Sequence, residues 1–443
     1  MVQPLKKQVP PGDYKILVIG SGGREFAIVW KLIQDRARNS AIGQIFCAPG
    51  NGGTAGLAGV TNVEIGAGNI PALLDFAKAN NIYLTIVGPE DPLIDGIVDV
   101  FQAEGLRIFG PDKARAKLEG DKAWAKGVMT RAGVPTAAYH ISESYDDAVE
   151  WLESQPADKR WFVKVSGPAL GKGAIGCKNR AEALNAVRRI LKEREFEEAG
   201  DTVVIEEWLV GYEVSFLCVC SGFDVVALKP AKDYKPVGDG DTGDNTGGMG
   251  NACPHPRTTD AQIEEYIETI VKPMLRQVGG LTGIMFVGLM ITEDGPKVLE
   301  FNMRFGDPET EVILALLYSS LFELLEAAID KCLGEVEARW LHKKALTVAL
   351  VSPGYPEKYE KGKKIALPET LPNGVTIIHG GTKLTEDGSL VTNGGRVLYI
   401  TVLADSFEEA IETAYHVIAE INVEGGFQYR LDIGNDCLSG IAA

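Results

Sequence analysis

Short apolar runs alternate along the first part of the chain with longer stretches whose apolar positions recur every three or four residues. The run "KILVIG" (15–20) ends in glycine and is followed by the helical pattern "EFAIVWKLIQ". Further strand-like runs are "QIFCAP", "TNVEI", "LTIVG" and "RIFG", with helical patterns in "IPALLDFAKAN" and "IDGIVDVFQAEG". Strands alternating with amphipathic helices predict a parallel sheet with helices on both faces. Residues 1–117 therefore read as a doubly wound α/β domain. Ligands in such sheets sit beyond the carboxyl ends of the strands, where the glycine turns fall here.

From Leu118 the texture changes. "LEGDKAWAKGVMTRAG" reads as one helix, and "RWFVKVSGPALGKGAIGC" as two strands joined by a glycine loop. "NRAEALNAVRRILKE" is a helix and "TVVIEEWL" a strand. "EVSFLCVC" and "DVVALKP" read as an antiparallel pair, which puts Cys218 and Cys220 on one face. Residues 238–250, "GDGDTGDNTGGMG", hold six glycines and are expected to be loop only. A helix over about 259–278, strands "MFVGLMIT" and "PKVLEFN", and the helix "EVILALLYSSLFELLEAAI" complete a section spanning 118–335. The last section, 336–443, mixes strands with the helix "SFEEAIETAYHVIAEI" and reads as a small α+β domain.

Composition narrows the function classes. Acids outnumber bases, 61 against 44, for a formal charge of −17. That leaves no basic footprint for nucleic acid or anionic lipid, so any phosphate must be held by local loops, helix ends or metal ions. Apolar residues make up 45% and charged residues 24%, an ordinary globular balance. No apolar run approaches the roughly 18 residues of a membrane span, and the opening "MVQPLKKQVPPGDYK" reads as a short disordered lead-in without a signal-peptide core. Seven scattered cysteines with no CxxC predict reduced thiols in a cytoplasmic protein. Five dispersed histidines argue against a histidine-rich metal site.

Four stretches carry candidate chemistry. "VIGSGGREFA" places Gly20, Gly22 and Gly23 at a strand-to-helix turn whose N–H groups can face an anion. A dinucleotide fingerprint fits only in part, because Glu25 holds the third glycine position and the next strand ends in Ala48-Pro49. Arg24 and the turns at Pro49-Gly50-Asn51-Gly52 and Gly88-Pro89-Glu90 favour a smaller phosphate ligand, against a turn needing glycine for geometry alone. Lys164, inside the apolar run "WFVKV", is costly to bury unless it faces an anion. Lys172, between two glycines, is placed to close over phosphates; a snorkelling lysine and a plain hairpin are the bland alternative. In "VVIEEWLVGYEVS", Glu206, Glu207 and Glu213 surround Trp208 and Leu209, as an adenosine pocket or as solvent-facing acids at a strand end. In "KVLEFNMRFGDPET", Glu300 and Asn302 share one strand face and suit Mg²⁺, with Arg304 continuing that face and Asp307 and Glu309 following in the turn.

Together these residues resemble the ATP-grasp ligases and, within them, the phosphoribosylamine–glycine ligase family, from Ile16 to about Gly434. The matching runs are "VIGSGGRE", "APGNGGTA", "TIVGPEDPL", "IFGP", "LEGDKAWAK", "GKG", "VVIEEWLVGYEVSF", "VGDGDTGDNTGGMG", "LEFNMRFGDPET", "TNGGRVL" and "DIG", in family order. The resemblance implies an N-terminal substrate domain, an ATP-grasp core with a mobile lid (about 123–190), and a C-terminal domain. It further implies ATP and Mg²⁺ (or Mn²⁺), small-molecule substrates, and a monomer or small homo-oligomer. Lys122, Lys164 and Lys172 would touch ATP phosphates. Glu206, Trp208 and Leu209 would line the adenine pocket, Glu213 would hold the ribose, and Glu300 and Asn302 the metal. Gly22, Gly23, Arg24, Asn51, Gly52 and Glu90 would face phosphoribosylamine. Arg304, Lys172, Asp307 and Glu309 would serve the acyl phosphate and its acceptor.

Three places depart from the family pattern: Phe26 where histidine is usual, Ser166-Gly167-Pro168 before "GKG", and Tyr234-Lys235-Pro236 before "VGD". A relative ligating another small acid or amine, a non-catalytic ATP-binding relative and a dehydrogenase are the competing readings. The absence of an obvious Ser/His or Cys/His constellation suits a ligase that needs no side-chain nucleophile.

Overall fold

The computed structural model describes residues 12–169 and 173–438; the expected lead-in falls mostly, and Lys172 wholly, outside them. Strands β1 (Tyr14–Gly20), β2 (Ile42–Pro49), β3 (Val60–Asn62), β4 (Leu84–Val87) and β5 (Ile108–Phe109) form an all-parallel sheet in the order β3-β2-β1-β4-β5. Both faces are buried, as parallel sheets require. Ile16 and Val18 of β1 point into one core cluster, while Leu17 and Ile19 point into another with Leu73, Val98 and Phe101. The first cluster is completed from far downstream, by Val312, Leu316, Phe322 and Leu325 of helices Glu309–Leu316 and Leu321–Ile329. The expected helix "IDGIVDVFQAEG" is interrupted at Gly96, whose φ of +94° is the left-handed conformation that glycine adopts without strain.

Two antiparallel four-stranded sheets follow. The first has the order Tyr139–Ser142, Val203–Glu207, Trp161–Val165, Ala174–Cys177. The second has the order Asp224–Ala227, Tyr212–Gly222, Leu281–Thr292, Gly295–Asn302. Cys218 and Cys220 lie buried in the same cluster, under the second sheet, as the alternation predicts. The expected flap of residues 123–190 does not coincide with the first sheet. Val203–Glu207 pairs with both Tyr139–Ser142 and Trp161–Val165, so the sheet runs past residue 190.

Other expectations are corrected. The single helix from Leu118 is two, Lys113–Gly120 and Lys122–Ala132, broken at Asp121. This residue takes an extended conformation and caps the second helix through a 2.9 Å bond from Trp124 N–H. The glycine-rich stretch is not loop throughout: Pro236–Gly238 and Thr242–Asn245 form a hairpin, and Gly250–Cys253 is a strand. That strand and Lys232–Asp233 join the C-terminal sheet, whose order is Lys232–Asp233, Gly250–Cys253, Lys344–Val351, Arg396–Ala404, Val375–His379. Helix Phe407–Glu420 packs on it through Phe407, Ala410, Ala414 and Val417. The C-terminal sheet therefore takes two short strands from section 118–335. Among the described residues, no helix is long and apolar enough to cross a membrane.

Candidate active site

A cleft of about 670 Å³ lies where the sections meet. Its lining includes Arg24 and Glu90 from the N-terminal section, Lys122, Lys164, Glu206 and Glu300 from the middle, and Tyr355 and Arg396 from the C-terminal section.

At its centre stands a group of desolvated lysines. Strand period puts Lys164 and Glu206 on the same face of neighbouring strands, and Lys164 Nζ lies 3.1 Å from Glu206 Oε2. Lys126, one helical turn beyond Lys122, shares that oxygen at 3.2 Å. Burial lowers the Lys126 pKa to about 8, against the pull of Glu206, and also lowers that of Lys122. Among the described residues, Lys122 Nζ donates only to the Gly167 carbonyl, at 3.4 Å. Glu206, expected beside adenine, is thus engaged by lysines, while Glu213, expected at the ribose, receives a 2.6 Å ion pair from Lys235.

Glu300 and Asn302 line the same cleft as Lys122 and Lys164. The antiparallel register slips between Gly288 and Leu289, so that Gly288 faces Glu300 while Leu289 faces Val298. Burial alone would raise the Glu300 pKa, but Lys235, Lys164, Lys122 and Arg304 together hold it below the ordinary carboxylate value. A carboxylate kept ionised, with an amide oxygen two residues on, is the sparse oxygen set that Mg²⁺ takes when phosphates and water complete its shell. Among the described residues there is no cluster of three or more His, Cys, Asp or Glu with metal-binding geometry, so an ion here would take most of its ligands from elsewhere.

Trp208 packs its ring on Phe162 at 4.5 Å between centroids, beside Leu209, Met129 and Met290 in the lining, which makes an apolar slot for a flat ring.

Arg304 links this floor to the N-terminal section. Its Nε lies 3.2 Å from Glu90 and its Nη2 3.1 Å from Glu119 and 3.2 Å from Asn302 Oδ1. Burial would raise the Glu90 pKa, yet Arg304 and Arg24 bring it down to about 2. Arg24 also bonds Glu25 at 2.5 Å and the Phe305 carbonyl at 3.2 Å. Asp307 is held by Arg396 and Tyr399, and Glu309 accepts a 2.9 Å bond from Ser215.

The rest of the expected phosphoribosylamine set is otherwise occupied. The Gly22 N–H donates to Glu25 Oε2 at 2.6 Å, closing the turn that was expected to face an anion. The Asn51 amide donates to the Ser21 and His379 carbonyls and accepts from Gly53 and Thr54, tying the N-terminal turn to the C-terminal sheet. Gly52 N–H bonds the Thr382 carbonyl. Gly22, Gly23, Asn51 and Gly52 do not line the cleft, whereas Arg24 and Glu90 do. Phe26, at a departing position, stacks on His379 at 5.5 Å.

Sequence reasoning missed Lys126, Glu119, Lys235, Asp233 and Arg396. The four-residue spacing from Lys122 was the signal for Lys126, and "TNGGRVL" contains Arg396. Glu119 lies in the run "LEGDKAWAK", and nothing local marks Asp233.

A doubly wound domain followed by two antiparallel sheets that enclose a lysine-lined cleft, with an acidic and an amide oxygen opposite, defines an ATP-grasp ligase. The phosphoribosylglycinamide synthetase N domain matches residues 14–119, its ATP-grasp (A) domain residues 120–310 and its C domain residues 345–436. The chain is 42% identical over 436 residues to a phosphoribosylamine–glycine ligase of Rhodopirellula baltica, covering 96% of this chain and 98% of that one. It is 43% identical to a bifunctional purine biosynthetic protein of Pichia angusta over 95% of its own length, and spans about half, 53%, of that longer protein. The crystal structure of a Thermotoga maritima phosphoribosylamine–glycine ligase superposes with a TM-score of 0.81 at 32% identity, over 95% of this chain and 100% of that one. The chain belongs to the phosphoribosylamine–glycine ligase family.

Proposed function

We propose that the chain joins glycine to 5-phosphoribosylamine at the expense of ATP, through an acyl phosphate, in purine biosynthesis. The observation that carries this reading is the facing of Glu300 and Asn302 with Lys122, Lys164 and Arg304 inside one cleft. The glycine carboxylate attacks the γ-phosphate of ATP to give glycyl phosphate and ADP. The amine then attacks the acyl carbon, phosphate leaves, and an amide forms. Little covalent chemistry is asked of the protein, which aligns the reactants and supplies preorganised charge. Lys122 and Lys164 bear on the phosphates, Trp208 and Leu209 on adenine, and Glu213 on the ribose once Lys235 yields it. Glu300 and Asn302 would hold Mg²⁺ (or Mn²⁺), which would supply positive charge to neutralise the triphosphate. Arg304 stabilises charge on the transferring phosphoryl group, and Arg24 and Glu90 meet the phosphoribosylamine side. The seven free thiols suit the cytoplasm, and the working unit is a monomer or small homo-oligomer.

Glycine- and amine-dependent ADP release tests the reading. Glu300→Ala is expected to lower it on the order of 10³-fold while leaving the thermal unfolding transition in place. Normal turnover by that variant sinks the metal assignment, and ADP release with an acid other than glycine sinks the substrate assignment.

A further inference from the structure

We propose that Arg396 and Tyr399 are positioning residues that aim Asp307 at the attacking amine, whose proton Asp307 accepts. The proposal rests on the reading above and concerns its second step. There the amine nitrogen forms a bond to the acyl carbon, the bond from that carbon to the phosphate oxygen breaks, and phosphate departs with the electron pair. The nitrogen must also shed one proton, which passes to the Asp307 carboxylate and then to solvent.

Asp307 lines the cleft with one carboxylate oxygen fixed by donors from the C-terminal sheet. Its Oδ1 accepts from Tyr399 Oη at 2.7 Å and faces Arg396 Nη1 at 3.1 Å, and its backbone carbonyl accepts from the same nitrogen at 2.9 Å. Both donors lie on strand Arg396–Ala404 of the C-terminal sheet. Among the described residues no hydrogen bond engages Oδ2. That oxygen points toward the Gly22 turn, where a Cβ on Gly22 would come within 3.3 Å of it. The turn also carries Arg24, which lines the cleft on the side assigned to the amine substrate.

The packing holds this arrangement rigidly. A Cβ on Gly23 would lie 2.4 Å from Tyr399 Cε2 and 2.6 Å from Glu311 Oε1, so only glycine lets the turn sit against them. Glu311 is fully buried, and among the described residues neither of its oxygens has a hydrogen-bond partner on another residue. Burial and the charge of Asp307 push the Glu311 pKa well above the ordinary carboxylate value. Base catalysis of this kind contributes about 10²–10⁴-fold, provided the base is held in reach.

The test separates the two chemical steps. Scrambling of ¹⁸O between bridging and non-bridging positions of ATP, with glycine and without amine, reports reversible glycyl phosphate formation; product release with amine reports both steps. Asp307→Asn should keep scrambling within about threefold of wild type and lose amide formation by about 10²–10⁴-fold. Tyr399→Phe and Arg396→Lys should slow amide formation about tenfold, leaving scrambling and the KM for ATP unchanged. They carry the test should Asp307→Asn fail to fold. Parallel loss of both readouts in these variants, or amide formation at the wild-type rate, overturns the proposal. Wild-type enzyme without glycine-dependent scrambling overturns the functional reading and the proposal with it, an outcome distinct from either of those.

Discussion

Two clusters of buried charge lie side by side in the cleft, with opposite balances. Lys122, Lys126 and Lys164 face Glu206 and Glu300, three cations to two anions. Arg24 and Arg304 face Glu25, Glu90 and Glu119, two cations to three anions. The lysine cluster is short of negative charge, and the pKa values of Lys122 and Lys126 fall because burial is not fully offset. A desolvated surplus of cations is stabilised by an arriving anion, which is the role proposed for the nucleotide's phosphates. The arginine cluster is already satisfied and spans the N-terminal and middle sections, so its first effect is to hold the cleft's walls together.

The sharpest way to break that contrast is Arg304→Met. It strands Glu90 and Glu119 without their main partner, and removing one member of a buried ion pair costs about 3–5 kcal/mol. Denaturant unfolding of the nucleotide-free protein should show a loss of about 4 kcal/mol, which nucleotide barely recovers. A loss under about 1 kcal/mol would place the arginine among exposed pairs and remove its architectural role.

Glu206→Gln should cost somewhat less, about 3 kcal/mol, and behave differently. It leaves Lys126 and Lys164 around a neutral amide, a deficit that phosphates can fill. MgATP should therefore raise the melting temperature of the variant more than that of wild type. Equal shifts in the two proteins would mean that the lysines do not meet the nucleotide.

Strand arithmetic made much of this legible. A period of two put Glu300 and Asn302 on one face, and the alternation of strands and helices foretold the parallel sheet around Ile16–Ile19. What escaped depends on pairing between distant segments. Lys164 meets Glu206 only because Val203–Glu207 inserts beside Trp161–Val165, and no local signal encodes that register. Arg396 and Tyr399 reach Asp307 from some ninety residues downstream, across a sheet that borrows strands from the middle section. The hairpin at Pro236–Gly238 and Thr242–Asn245 was hidden by glycine content, which marks turns without saying what they connect. By sequence alone the glycine turn at 22 and 23 suits either an anion or plain turn geometry, and only the tertiary structure shows the Glu25, Glu311 and Tyr399 side chains packed against it.

The smallest effect is the most specific, and it isolates Glu90 within the arginine cluster. Its folded pKa of about 2 lies below the ordinary value near ~4.3, so the folded state binds its proton less readily than the unfolded chain. The stability it contributes is fully present above about pH 4.5 and is lost as pH falls toward 2. Other carboxylates titrate over the same range, and Glu119 acts with the opposite sign because burial raises its pKa. The difference between wild type and Glu90→Gln cancels those contributions. Urea unfolding at stepped pH should give a difference that is flat from neutrality to about pH 4.5 and shrinks to nothing near pH 2. If it vanishes by pH 4 instead, Glu90 is an ordinary carboxylate, Arg24 and Arg304 do not hold it, and the two clusters are less unlike than their geometry indicates.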